Sequence, residues 1–429
     1  MNIRIAVTTL GCKTNHYDSA ALLGRLDRSV FTEVHFLETA DIYIVNSCSV
    51  TALADRQSRQ FIYQARRRNP DATVILAGCY ATNAEKEMAK KSEIDYVVSR
   101  NSETSLLDIV LAEARKRGFE PEDIDKGVQF GSQSRPYLKI QDGCEAFCSY
   151  CIIPYTRGPI TSVPEDIVLN QLHTLADSGY REVVLTGIHV GHWGRDIYGK
   201  PSFYKLLKAI DDEGLIGRIR VSSLEPMELS DEIIDLVANS DVFCPHLHIP
   251  LQSGSDKILK LMKRPYLTRH FRDRIETAAE KISGLGLGID VIVGFPGESE
   301  EDFMQTVDFI KSLPFQYLHV FPYSERPGTP AIEMKDQVPV VQRKQRAKHL
   351  IAVGLERRKE AAERQIGKTL KVLVERKRDS KSGFFKGFSD NYHEFLIDSE
   401  DELQNKVVEV KALKLYKDSF KLVASCKLT

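Results

Sequence analysis

Cys144, Cys148 and Cys151 stand close together in the run Cys144-Glu-Ala-Phe-Cys148-Ser-Tyr-Cys151. Three thiolates at this spacing can grip one metal centre, and soft sulfur ligands suit zinc or an iron–sulfur cluster. A structural zinc site wants a fourth local ligand, and none is nearby. Three protein ligands on a four-iron cluster would instead leave one iron open to bind a substrate. The plain alternative is three buried cysteines with no ligand at all.

Cys12, Cys48 and Cys79 form a second, dispersed trio. Each sits just after the C-terminal end of an expected strand: Ile3–Leu10, Ala40–Val45 and Thr73–Ala77. In an open parallel sheet those ends share one edge, where loops converge to form a ligand site. Residues 36 and 31 positions apart can therefore meet in space. Taken singly, each would more often be a buried hydrophobe. Cys244 and Cys426 stand alone, and eight cysteines in a chain read as cytosolic are not expected to form a disulfide framework.

Two weaker patterns carry less. Cys244, His246 and His248 alternate along an expected strand and so share a face. A zinc site would want a second ligand pair at a turn, so lumen-lining roles are expected instead. Gly284-Leu-Gly-Leu-Gly288 precedes a strand where a phosphate-cradling loop must follow one, which excludes a dinucleotide site there.

The elements that must position these residues follow from composition and periodicity. At 429 residues, with 42% hydrophobic and 28% charged, the chain reads as globular, with two or three domains. No apolar run approaches the length of a membrane span, and Met1–Val7 reads as a first strand and not a signal peptide, so no membrane partner and a cytoplasmic location are expected. Helical patterns at Asp18–Leu26, Ala54–Arg68 and Ala84–Lys91, with a further strand Ile94–Val98, make residues 1–115 a parallel open-sheet domain. Residues 116–134 read as a linker.

A second strand–helix series runs through Tyr137–Ile140, Glu182–Leu185, Ile219–Val221, His246–Pro250, Gly288–Val293 and Tyr317–Phe321. Helical patterns such as Pro164–Ala176, Phe203–Asp211 and Phe303–Lys311 fill the intervals. Six strands are too few for a closed eight-stranded barrel, so residues 135–338 are expected to form a partial (β/α)6 barrel. A basic helix spans 339–365. Short alternating runs at Leu370–Glu375, Tyr392–Leu396, Lys406–Val410 and Lys421–Ala424 then predict a small β-barrel over 366–429. The fold class is α/β.

The net charge of -1 hides an asymmetry. Val341–Thr429 carries 21 Lys and Arg against 13 Asp and Glu, while the rest of the chain is net acidic. A basic end on an acidic body suits a polyanion, although a solvated charged helix explains the same count.

The run Asp142-Gly-Cys-Glu-Ala-Phe-Cys-Ser-Tyr-Cys-Ile-Ile-Pro-Tyr-Thr-Arg-Gly158, placed on a partial barrel, resembles the radical S-adenosylmethionine superfamily, and more closely its methylthiotransferases. Leu10-Gly-Cys-Lys-Thr-Asn15, Asn46-Ser-Cys-Ser-Val-Thr51 and Ala77-Gly-Cys-Tyr80 resemble the auxiliary-cluster segments of the same family. The resemblance implies two [4Fe-4S] clusters: a radical-generating one on Cys144, Cys148 and Cys151, and a sulfur-delivering one on Cys12, Cys48 and Cys79. It implies S-adenosylmethionine as both radical source and methyl donor. Tyr150, Thr186, Gly187, Ser223, Glu225, Gln252, Asp290 and Phe321 match segments that bind it, Glu225 as an acceptor for ribose hydroxyls. Gly367–Ser425 resembles the RNA-binding barrel called TRAM. Arg157, Arg326, Lys381, Phe384, Phe385 and Lys386 are the RNA contacts it implies, since aromatics beside cations suit base stacking and phosphate binding. Where the family often carries two further arginines after Gly158, this chain has Pro159-Ile-Thr-Ser-Val163.

The implied reaction is insertion of sulfur and methyl at C2 of N6-threonylcarbamoyladenosine at position 37 of tRNA. The segments Tyr155-Thr-Arg157 and His192-Trp-Gly-Arg-Asp196 look most like that branch. Alternatives are the isopentenyladenosine branch, an enzyme modifying an aspartate of a ribosomal protein, and a non-catalytic iron–sulfur RNA-binding sensor. The sensor has no need of Thr186, Glu225 and an adenine segment. The partners implied are the tRNA anticodon stem-loop, an electron donor such as flavodoxin or ferredoxin, and a sulfur source.

Overall fold

The strand Ile42–Ser47 is buried at all six positions, which requires cover on both faces of its sheet. Its side chains alternate between those faces. Ile42 and Ile44 join Ile5, Ile75, Leu22 and Leu107 in one apolar layer. Tyr43 and Val45 join Ala6, Leu76, Ile62 and Ala65 in the other. The helices Lys13–Arg25 and Leu106–Lys116 cover the first face, and Ala52–Arg68 covers the second. The sheet is parallel, in the order Phe31–Glu33, Ile3–Thr9, Ile42–Ser47, Thr73–Gly78, Tyr96–Val98. The chain leaves Ile3–Thr9 first to one side and then to the other. Strand order therefore reverses there, and the carboxyl ends of Ile3–Thr9 and Ile42–Ser47 flank a crevice suited to a ligand.

This computed structural model describes residues 2–100, 102–124, 128 and 133–426. Met1 of the expected first strand, residues 125–127 and 129–132 of the expected linker, and the last three residues of the expected C-terminal barrel lie outside them. The chain separates into two units. One comprises residues 1–131, 142–160 and 324–332; the other comprises 132–141, 161–323 and 333–429. None of the helices among the described residues is long and apolar enough to cross a membrane.

In the second unit six parallel strands succeed one another in chain order: Tyr137–Lys139, Val183–Thr186, Ile219–Val221, His246–Gln252, Gly286–Val293 and Tyr317–Pro322. They form two three-stranded ladders. The bridge Ile219↔Phe243 and the bond from Leu224 N to His248 O (3.0 Å) join the two. Helices including Glu165–Asp177, Phe203–Glu213, Thr268–Lys281 and Glu300–Lys311 fill the crossovers, giving the open partial barrel the strand count requires. Side-chain caps set several helix starts, as where Ser299 and Asp302 form a capping box.

After the helix Val340–Glu363 the chain forms a curled six-stranded sheet, a half-barrel consistent with the small β-barrel expected. Its order is Val407–Lys411, Thr369–Arg378, Phe385–Ser389, Glu394–Asp398, Leu422–Ser425, Lys414–Leu415. The outermost strand, Lys414–Leu415, is two residues long, too short to continue the ladder round into a full barrel. Phe385 packs with Val372, Phe395 and Leu422 at the centre of this sheet.

Three local expectations shift. The first helix begins at Lys13, five residues before the expected Asp18, because its opening turn is polar and carries no apolar period. Of the helix expected over Ala84–Lys91 only Glu85–Met88 forms; a separate short helix, Cys79–Asn83, precedes it, and Ala84 between them leaves helical geometry (φ -121°, ψ 25°). The strands Phe31–Glu33 and Phe385–Ser389 and the helix Leu106–Lys116 were not anticipated. A three-residue strand is too short to show alternation.

Candidate functional site

The first unit brings Cys12, Cys48 and Cys79 to one sheet edge. Cys12 caps the helix Lys13–Arg25, Cys48 directly follows the strand Ile42–Ser47, and Cys79 opens the helix Cys79–Asn83. Gly11 lies at φ +90°, and a Cβ built on it would stand 2.5 Å from the Cys48 sulfur. Only glycine lets the loop after the first strand approach that closely. Asn15 ties the edge together by donating to the carbonyls of Leu10 and Ser47, each at 2.9 Å. Asn46 answers by donating to the Asn15 carbonyl at 2.9 Å.

Burial pushes the Cys48 thiol up to about 11, and the neighbouring Cys79 and Cys12 add to the effect. Burial also raises the Cys79 thiol, against a downward pull from Arg157. Three thiols at one partly buried sheet edge are costly as bare anions and suit a cationic centre that takes their protons' place. The donor set and the space left by Gly11 fit an iron–sulfur cluster.

The loop carrying Cys144, Cys148 and Cys151 belongs to the same unit. It closes on itself where Cys144 N donates to the Gly158 carbonyl at 3.1 Å. Gly143 makes the closure possible, for a Cβ there would meet the Pro159 oxygen at 1.8 Å. Within the loop, Ala146 N points at the Cys144 sulfur (3.5 Å) and Cys151 N donates to the Cys148 carbonyl (3.0 Å). Phe147 adopts φ +46°, a strained geometry for a bulky residue, and its exposed ring meets Tyr155 edge-on at 5.7 Å. Tyr150, between the last two cysteines, is partly buried.

Arg157 is not on the surface, where an RNA contact would need it. Its side chain is fully buried. One end of the guanidinium donates to Asp142 at 2.7 Å; the other donates to Asn15 and stands 3.8 Å from the Cys12 sulfur. Arg100 grips the second oxygen of Asp142 at 3.0 Å and reaches Asp18 at 3.1 Å. Arg326 is likewise interior, bonded to the buried Asp55. A buried cation needs a paired anion, and each of these arginines has one. Neither is free to meet a phosphate.

In the second unit, the residues expected to bind a cofactor cluster at carboxyl ends of the barrel strands. Thr186 ends Val183–Thr186 and is buried. Gly187 follows, with room for no side chain: a Cβ would lie 2.8 Å from the Gln141 side chain. Gln141 accepts from the backbone N–H groups of Ile188 and His189 at 3.0 and 2.8 Å. Ser223 is exposed after Ile219–Val221 and meets His248 Nδ1 at 3.2 Å. Gln252 sits at φ +65° at the end of His246–Gln252, where the register slips by a residue. Asp290 takes His248 at 2.7 Å and His319 at 3.1 Å; burial opposes its charge, yet the two imidazoles hold its carboxyl below the usual range. Phe321 is exposed at the end of Tyr317–Pro322.

Glu225 is not the open carboxylate expected. Arg264 clamps it, and Arg264 itself lies over the Tyr266 ring at 5.0 Å. Burial raises the Glu225 carboxyl, Arg264 opposes that, and nearby Glu228 adds to it. His189 and His192, stacked with centroids 4.0 Å apart, both turn Nε2 toward Glu228. This group was not read from the sequence, although the His189-x-x-His192 spacing was there to be seen.

The expected RNA contacts of the C-terminal sheet divide. Lys381 is exposed, while Phe384 and Lys386 are partly so. Phe385 is fully buried, with Arg378 over its ring at 3.6 Å, and so belongs to the core. Phe388 and Tyr392 stack on each other and take Arg135 over their rings at 4.2 and 5.6 Å. The carbonyls of Phe388, Ser389 and Asp390 accept from Arg218 and Arg220, which share the fully buried Glu182. Burial works against the Glu182 charge, but the two arginines hold its carboxyl down at about 2.

Comparison with known proteins identifies the family. The model described as uncharacterized protein family UPF0004 matches residues 4–99, and that of the Radical SAM superfamily matches residues 138–310. The threonylcarbamoyladenosine tRNA methylthiotransferase MtaB of Bacillus subtilis (strain 168) is 39% identical over 427 residues, covering 96% of this chain and 94% of that one. Its counterpart from Aquifex aeolicus (strain VF5) is 38% identical, covering 87% and 93%. The tRNA-2-methylthio-N(6)-dimethylallyladenosine synthase of Carboxydothermus hydrogenoformans is 33% identical, covering 94% and 95%. Among solved structures, the radical S-adenosylmethionine methyltransferase TsrM from Kitasatospora setae, with cobalamin and a [4Fe-4S] cluster bound, is similar in fold, with a TM-score of 0.56 at 15% identity over 77% of each chain.

Proposed function

This chain belongs to the radical S-adenosylmethionine tRNA methylthiotransferases, and we propose that its substrate is N6-threonylcarbamoyladenosine at position 37 of tRNA, which it converts to the 2-methylthio derivative. The observation that carries the chemistry is the presence of two cysteine trios in one unit. The Bacillus subtilis and Aquifex aeolicus threonylcarbamoyladenosine enzymes, at 39% and 38% identity against 33% for the Carboxydothermus hydrogenoformans dimethylallyladenosine synthase, support the substrate.

Membership of the family implies S-adenosylmethionine and a [4Fe-4S] cluster, which Cys144, Cys148 and Cys151 would hold. When bound, these supply one-electron cleavage of the sulfonium and a methyl group. Cys12, Cys48 and Cys79 would hold a second [4Fe-4S] cluster, the sulfur-delivering one. Thr186 and Gly187 would receive the methionyl end of S-adenosylmethionine, Ser223 and the Arg264-clamped Glu225 its ribose, and Phe321 its adenine. Gln252 and Asp290 would line the same lumen. The curled sheet would serve as the TRAM-like RNA-binding element, through Lys381, Lys386 and Phe384. An electron donor such as flavodoxin or ferredoxin and a sulfur source complete the partners.

The test is mass spectrometry of tRNA nucleosides from a deletion strain and from the same strain carrying this gene. Loss of the methylthio derivative of threonylcarbamoyladenosine, with its unmodified precursor accumulating, is the expected result. Loss of the methylthio-isopentenyl nucleoside instead would move the chain to the other branch.

A further inference from the structure

The second trio has a charged neighbour that comes from the loop of the first. Arg157 lies six residues after Cys151, yet its guanidinium is turned toward the sheet edge that carries Cys12, Cys48 and Cys79. Its polar contacts in that direction are to named side chains, and its charge also acts on Cys79. Nη1 donates to Asp142 Oδ1 at 2.7 Å, Nη2 donates to Asn15 Oδ1, and Nη2 stands 3.8 Å from Cys12 Sγ and 4.0 Å from Asp18 Oδ2. A guanidinium keeps its charge at any ordinary pH, and its planar fork fixes where that charge sits. Asn15 in turn is anchored to Leu10 and Ser47, the residues just before two of the three ligand loops.

We propose that Arg157 is a positioning residue for the second cluster: it orients Cys12 and supplies a buried positive charge that makes that cluster easier to reduce. This rests on the reading that Cys12, Cys48 and Cys79 hold a cluster. Hydrogen bonds to cluster sulfurs and local charge are the protein's main means of setting a cluster's potential. The arrangement also joins the two trios physically, because the strand-edge ligand and the radical-cluster loop share one side chain. A bland ion pair on Asp142 would not need the second half of the fork. Asp142 already has Arg100 on its other oxygen, at 3.0 Å.

That same Arg100 contact leaves Asp142 partnered when Arg157 is removed, so Arg157→Gln is expected to fold. The experiment uses the full chain with Cys144, Cys148 and Cys151 replaced by Ala, reconstituted with iron and sulfide, so that only the second cluster is seen. Its reduction is followed by electron paramagnetic resonance in a mediator titration poised with dithionite. With Arg157→Gln the reduced fraction at a given potential should fall about tenfold, a shift of about 59 mV for a one-electron couple. Arg157→Lys, which keeps the charge but not the fork, should recover most of that shift while altering the spectral shape. Should Arg157→Gln fail to fold, Arg157→Lys carries the test alone: an altered spectral shape supports the fork's role, and an unaltered spectrum with an unmoved potential overturns it. Full iron with an unmoved potential in the glutamine variant overturns the proposal alone. No iron in the cysteine-to-alanine background overturns the two-cluster reading, and the proposal with it.

Discussion

Arg157 and Cys12 are separated by 145 residues, and the guanidinium Nη2 stands 3.8 Å from the Cys12 sulfur. Through this contact the loop bearing one cysteine trio reaches the sheet edge bearing the other. The two trios are therefore neighbours in one packing unit.

Iron content should divide evenly between the trios. Two four-iron clusters give about eight irons per chain, and replacing Cys144, Cys148 and Cys151 with Ala should leave about four. Iron and sulfide assays on the reconstituted variant decide it. A variant that keeps the full complement, or loses all of it while folded, contradicts the assignment.

The trios should also divide the labour. With Cys12, Cys48 and Cys79 replaced, the reduced protein should still release 5′-deoxyadenosine from S-adenosylmethionine while making no methylthiolated tRNA. Chromatography of the small-molecule products, alongside nucleoside analysis of the tRNA, reads both halves. Normal methylthiolation would remove the second trio from the mechanism.

Gly11→Ala should damage the second site specifically. Its φ of +90° and the 2.5 Å approach to the Cys48 sulfur leave no room for a methyl group. The backbone strain alone is worth about 1–2 kcal/mol. Iron should fall toward about four per chain, the complement of the other cluster. Retention of both clusters at native stability would show that the loop has slack.

The buried Glu182 gives the second unit a pH signature. Its carboxyl, held at about 2 in the folded chain against 4.5 for the free group, stabilises the fold fully above pH 4.5. That contribution is lost as pH falls from 4.5 through 2, and across the whole window it amounts to roughly 3 kcal/mol at about 1.4 kcal/mol per pKa unit. Trp193, the single tryptophan and fully buried in this unit, reports unfolding by fluorescence. Glu182→Gln should cost about 3–5 kcal/mol at neutral pH, because it strands Arg218 and Arg220. The gap between wild type and variant should narrow below pH 4.5. A gap that stays constant down to pH 3 argues against this carboxylate.

RNA binding by the basic C-terminal region should show in the salt dependence. Deleting that region would strip the carbonyl partners from Arg218 and Arg220, so point substitutions are the cleaner test. Lys344, Lys348 and Lys381 are exposed. Replacing each with Ala should reduce the slope of log affinity against log salt by up to roughly 0.7 per lost single-strand phosphate contact. An unchanged slope in the triple variant would mark these lysines as solvated surface only.

Much of the chemistry was legible in the sequence because it rests on side-chain type and chain order. The close spacing of Cys144, Cys148 and Cys151 is a local fact. The edge position of Cys12, Cys48 and Cys79 follows from strand–helix alternation, which a parallel sheet enforces. The six barrel strands were equally visible, since each is a short apolar run between amphipathic helices.

Tertiary packing decided what local patterns leave open, namely which partner a polar or aromatic side chain finds. Arg157 and Arg326 look like surface cations until the fold buries them against Asp142 and Asp55. Phe385 has the same neighbours in sequence as an RNA-stacking aromatic, but the sheet turns it inward onto Phe395 and Leu422. Glu225 has a strand-end position whatever surrounds it, and only the fold brings Arg264, 39 residues on, to clamp it. The sequence by itself determined the ligand types and the order in which the strands present them. Only the folded structure determined which charges are compensated, because the cost of burying a charge selects its partner from anywhere in the chain.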